Sequence, residues 1–114
     1  MEPKEFDFEF PRGDTPVLSW ELTDANGNQL DITPENCELT FTARNPSKEI
    51  VIQKRYSENQ IQIEGNSASL VLEHKDTKDL IINGTYNYDV QFNSGDYYKT
   101  LIIGKIKLTN EVTY

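Results

Sequence analysis

Cys37-Glu38-Leu39-Thr40-Phe41-Thr42-Ala43-Arg44 is the stretch that decides the fold. Cys37, Leu39, Phe41 and Ala43 fall on one side of an extended chain, and Glu38, Thr40, Thr42 and Arg44 fall on the other. Successive side chains of a pleated strand point to opposite faces, so this period of two marks a strand with one buried and one wet side. The same alternation runs outward in both directions. Upstream, residues 5–10 set Phe6, Phe8 and Phe10 against Glu5, Asp7 and Glu9, and residues 17–23 set Leu18, Trp20 and Leu22 against Ser19 and Glu21. Downstream, 49–56 places Ile50 and Ile52 inward, and 60–64 with 68–73 places Ile61, Ile63, Leu70 and Leu72 inward. Residues 85–92 place Tyr86, Tyr88, Val90 and Phe92 inward, and 97–103 is a further strand that 104–109 continues.

Turn chemistry separates these runs. Asn26-Gly27 suits the positive φ angles of a tight hairpin and precedes a short strand over 29–32. Asn45-Pro46-Ser47-Lys48, Gly65-Asn66-Ser67 and Asn93-Ser94-Gly95-Asp96 mark three more turns. Residues 75–80 alone have helical character, and they are too few for a free-standing helix, so they predict a single turn crossing between sheets. Short strands at turn spacings of about ten residues predict one all-β domain over 1–114. The expected architecture is an immunoglobulin-like antiparallel β-sandwich of about eight to nine strands with one short helical turn near 75–80. Residues 1–11 are expected as an N-terminal arm or edge strand.

The chain has 114 residues, 11 basic and 19 acidic, for a formal charge of −8. That sign disfavours nucleic-acid binding, which needs cations to neutralise phosphates. A single cysteine, Cys37, rules out an internal disulfide and is expected as a small buried side chain. Met1-Glu2-Pro3-Lys4-Glu5-Phe6 contains no apolar run, and no run anywhere is longer than three residues, as in Leu101-Ile102-Ile103, so neither a signal peptide nor a membrane span is expected.

No catalytic constellation stands out. His74 is the only histidine and sits between Glu73 and Lys75, an exposed polar setting with no paired nucleophile. The acidic residues fall on the polar phase of strands or in turns, where nothing raises a carboxyl pKa for acid catalysis. Asp24, Asn26, Asn28 and Glu35 match four ligand positions of a calcium loop, but Gln29 stands where that loop needs glycine, so a hairpin turn explains them better. Arg12-Gly13-Asp14 spells an integrin-binding tripeptide and Asn83-Gly84-Thr85 a glycosylation sequon, and both read more simply as turns. The expectation is a non-enzymatic chain without cofactor or metal.

Both termini carry surplus apolar residues. Tyr97 and Tyr98 fall on opposite faces, with Leu101 and Ile103 on the phase of Tyr97, and Ile102, Ile106 and Leu108 on that of Tyr98. The last strand therefore predicts apolar character on both sides, which suits a partner surface or a covering by the N-terminal arm. The candidate interface is Phe6, Phe8 and Phe10 in the arm with Tyr97, Leu101 and Ile103 in the last strand. An arm of this kind suits pairing with a neighbouring subunit's sheet edge.

The order of motifs carries a resemblance. An Arg12–Thr15 entry (RGDT) is followed by Asp-Ala-Asn-Gly at 24–27, Leu-Asp-Ile-Thr at 30–33 and Phe-Thr-Ala-Arg at 41–44. Gly-Thr-Tyr-Asn-Tyr-Asp-Val at 84–90 and a closing Leu-Ile-Ile-Gly-Lys-Ile-Lys-Leu at 101–108 complete it. This succession resembles the N-terminal immunoglobulin-like domain of phage baseplate upper proteins and related small tail or head-associated proteins of phages and prophages. The resemblance implies a virion structural part, made in the bacterial host cytoplasm, that assembles with other phage structural proteins as a homo-oligomer or ring component in a baseplate, tail, neck or head. It brings no catalytic residues. A carbohydrate-binding or host-adhesion module, using Tyr97 or Tyr98 and loop Asn and Asp residues on a host glycan, is the alternative.

Overall fold

The computed structural model describes residues 4–22, 37–64, 67–81 and 84–109, the side chain of Tyr97 excepted. Among them run nine strands: β1 Lys4–Glu5, β2 Phe8–Pro11, β3 Val17–Glu21, β4 Glu38–Arg44, β5 Ile50–Arg55, β6 Gln62–Glu64, β7 Ser67–Val71, β8 Thr85–Ser94 and β9 Tyr97–Thr109. A 3-10 turn, Tyr56–Glu58, follows β5, and one helical turn, α1 His74–Thr77, follows β7. The strand expected over 29–32 lies outside the described residues.

The strands form two sheets. The larger has the order β1-β9-β8-β4-β5 with β2 also on β9, and the smaller has the order β3-β7-β6. Facing apolar sides of the two sheets meet in one core, which includes Leu39, Phe41 and Ala43 of β4, Leu18 and Trp20 of β3, and Tyr86, Tyr88 and Val90 of β8. Full burial of a side chain such as Phe41 contributes about 1.5–3 kcal/mol. This is an all-β sandwich with immunoglobulin-like connectivity, in which the chain passes from one sheet to the other after β2, β3, β5 and β7.

The sequence predicts antiparallel pairing throughout, but β1 and β2 both pair parallel with β9. Residues 5–10, expected as one strand, break at Phe6-Asp7. The cause is Gly104, where a Cβ would stand 1.7 Å from the Phe6 carbonyl oxygen. Glycine lets the arm backbone sink towards β9, and only a residue without a side chain allows that approach. The ladder is bridged there by Phe6 N–H donating to the Ile103 carbonyl at 3.0 Å and Lys105 N–H donating to Asp7 Oδ1 at 3.0 Å.

Two one-residue slips correct the sequence reading. In β8/β9, Val90 faces Ile102 while Gln91 faces Thr100, so Leu101 is an extra residue. In β4/β5, Ala43 faces Ile52 while Arg44 faces Ile50, so Val51 is extra. A bulge of this kind exchanges inside and outside along the strand. Leu101 and Ile102 are consequently both buried while Ile103 points out, and Ile50, expected inward, is exposed.

The edge strand β5 also carries Lys54 inward, 7 % exposed, with its ammonium 3.0 Å from Asp76 of α1. A bulge and an inward charge are two devices that blunt sheet edges. Asp76 Oδ2 additionally accepts the Glu73 N–H at 2.7 Å, half of a reciprocal capping box that lets so short a helical turn hold.

Candidate functional site

The sandwich is tied together through one polar chain. Trp20 Nε1–H of β3 donates to the Tyr88 hydroxyl of β8 at 3.1 Å, and that hydroxyl donates to the Phe6 carbonyl at 2.6 Å. Antibody domains join the equivalent strands of their two sheets by a disulfide. Here two side chains and the arm backbone make that link instead. Phe8, Trp20, Phe41 and Tyr88 pack around it with ring centroids 5.3–5.9 Å apart, Phe8 edge-on to Trp20. Burial pushes the Tyr88 pKa up to about 12, against the lowering effect of the Trp20 hydrogen bond, and the nearby Asp7 charge adds to the rise.

The six residues expected at an interface do not form one patch. Phe10 and Leu101 belong to the core, and Phe8 is half-buried against Trp20 and Tyr88. Tyr97 begins β9 opposite Ser94, and its side chain lies outside the described ones. Phe6 and Ile103 remain exposed, at 46 % and 38 %. The arm expected to seek a neighbour's sheet edge pairs instead with β9 of its own chain, where Phe10 is buried and Phe8 packs against the core.

The outer face of the large sheet carries two adjoining depressions. In the first, of about 320 Å³, Ile103 lies between Glu5 and Asp89, its register neighbours on β1 and β8, with Asp7, Arg44, Asn87 and Lys105 around them. The second, of about 500 Å³, is polar and is lined by Glu38, Thr40, Gln53, Arg55, Gln91, Asn93 and Tyr98. Arg44 and Asp89, paired at 3.2 Å, belong to both and form the divide. Although burial alone would raise it, the Glu38 pKa is lowered by hydrogen bonds from the Ser57 hydroxyl and N–H and from the Leu39 N–H, with Arg55 nearby.

The outer face of the small sheet exposes a second apolar spot that sequence reasoning missed. Val17 and Val71 face each other in register, 64 % and 51 % exposed. Each is an apolar residue on the polar phase of its strand, and that mismatch was the available signal.

The remaining motifs have structural roles or fall outside the described residues. Arg12-Gly13-Asp14 forms a turn, Gly13 taking φ +86°, that docks on α1. Arg12 donates to the Leu80 carbonyl at 3.0 Å and Gly13 N–H to the buried Thr77 hydroxyl at 2.8 Å, while His74 Nδ1 lies 2.8 Å from the Gly13 carbonyl oxygen. Cys37, expected buried, is half-buried against the core. Asp24, Asn26, Asn28, Glu35 and Asn83 lie outside the described residues. Among the described residues no three His, Cys, Asp or Glu side chains converge on a metal position, and no helix is long and apolar enough to cross a membrane. Compared with known proteins, the chain matches no protein-family model and no curated sequence.

Proposed function

We propose that this chain is a non-enzymatic structural module of a phage virion, assembling by protein–protein contact in a baseplate or tail, or in a neck or head. The motif order along the sequence supports the phage setting. The observation that carries the assembly reading is that apolar side chains are exposed on both outer faces: Ile103, with Phe6 at the edge, on the large sheet, and Val17 with Val71 on the small one. The outer faces of a two-layer sandwich look in opposite directions, so a module of this design contacts one neighbour on each side, the arrangement of a ring or stack.

The edges of the large sheet are poor candidates for that contact. One is occupied by the arm and the other is blunted by the Val51 bulge and inward Lys54. The contacts made by the large sheet are therefore face contacts.

Particles purified from the host lysate test the reading. The chain is expected in them by mass spectrometry at a fixed copy number, with antibody against it decorating one substructure in electron micrographs. Purified particles that lack the chain would overturn it.

A further inference from the structure

The polar depression at the Tyr98 end of the large sheet carries chemistry of its own. Tyr98 is 63 % exposed and lies beside Asn93, which in turn lies beside Glu38. The next row along the sheet runs Thr100, Gln91, Thr40, Arg55. Strands stand about 4.8 Å apart, and like-facing residues within a strand about 6.8 Å apart, so an aromatic ring and two side-chain amides share an area the size of a sugar ring. All of them stand on strands, so the array is fixed before any ligand arrives.

The charge pattern selects the ligand class. The lining has two acidic residues, Glu38 and Asp89, and two basic residues, Arg44 and Arg55, so it is formally neutral in a chain of charge −8. Arg44 pairs with Asp89 and the Arg55 charge acts on Glu38, so the four charges offset one another and leave no net charge for a phosphate or a cation. Amides both donate and accept, as hydroxyl groups do, and a tyrosine ring offers an apolar face with a polar tip. We propose that this depression binds a neutral oligosaccharide, with Tyr98 stacking on a sugar ring and Gln91 and Asn93 hydrogen-bonding its hydroxyls.

The test is a titration of the ¹⁵N-labelled chain with maltohexaose, cellohexaose and chitohexaose, with a poly(glycerol phosphate) as the anionic comparison. At least one neutral sugar is expected to shift the side-chain amide signals of Gln91 and Asn93 with a dissociation constant of about 1 mM or tighter. Tyr98→Ala should weaken that binding at least about tenfold while Tyr98→Phe keeps it, with unchanged Trp20 fluorescence reporting an intact core. The proposal is overturned if none of the three sugars shifts these signals, if Tyr98→Ala binds as well as the parent, or if only the polyanion binds. Because particle labelling does not involve Tyr98, failure here leaves the virion reading standing.

Discussion

The Tyr88 hydroxyl stands between Trp20 Nε1 and the Phe6 carbonyl oxygen, accepting from the first at 3.1 Å and donating to the second at 2.6 Å. One oxygen atom thus joins the small sheet, the large sheet and the N-terminal arm. Removing it leaves a buried indole N–H without its acceptor and the Phe6 carbonyl without its donor. Tyr88→Phe is expected to cost about 1–3 kcal/mol in urea unfolding, without change of fold.

Gly104 allows the arm to approach, and Gly104→Ala should push it away. The new methyl would meet the Phe6 oxygen at 1.7 Å and the Tyr88 ring at 2.8 Å, and neither lies at the end of a flexible chain. A loss of about 1–3 kcal/mol or more is expected, with amide exchange accelerating first in β1 and β2. Uniform acceleration across the sandwich would contradict this account.

Alkaline unfolding should report Tyr88. Its folded pKa, about 12, lies above the ordinary phenol value of 10.0. Its contribution to stability is therefore complete below pH 10 and is lost as pH rises from there through 12. Tyr88→Phe is expected to flatten this limb of the stability profile. Glu38 acts in the opposite direction: its lowered pKa stabilises the fold above the ordinary carboxylate range and ceases to do so as pH falls through the folded value.

Lys54 and Asp76 form an ion pair with side chains only 8 % and 13 % exposed. Taking away one partner strands a buried charge, so Lys54→Met or Asp76→Asn should cost about 3–5 kcal/mol. Asp76→Ala should cost more than Asp76→Asn, because it also removes the acceptor that caps α1. A double-mutant cycle on chemical denaturation measures the coupling.

The bulge at Leu101 separates two neighbours that simple alternation would treat alike. Leu101→Ala opens a cavity and is expected to cost about 2–5 kcal/mol. Ile103→Ser, on the outer face, should leave stability within about 0.5 kcal/mol. If the virion reading holds, Ile103→Ser instead reduces incorporation into particles.

Much of this fold was legible because the chain alternates so regularly. β3, β7 and β8 follow the inside and outside assignments of their residues, β4 does so except at Thr42, which is buried although on the polar phase, and Trp20, Tyr86 and Tyr88 are core as their phase implied. Illegible were the features that depend on a partner strand. A bulge leaves no mark in one strand's own sequence, so alternation alone puts Ile50 inside and Leu101 outside, the reverse of where they lie. The inward course of Lys54 could not be read either, because its reason, Asp76, lies 22 positions away and in another element. The interface suffered most from this: the six residues expected there were chosen by phase, and the phase changes at Leu101.

The closed edges of the large sheet bear on how the chain behaves before it meets any neighbour. A lone β-sandwich with open edges polymerises when concentrated, because each copy offers the next a template for hydrogen bonding. Here the arm covers β9 on one side, and on the other an inward lysine and a slipped register spoil β5. The large sheet therefore offers another copy a poor hydrogen-bonding template at its edges, and its part in a larger structure is left to its outer face.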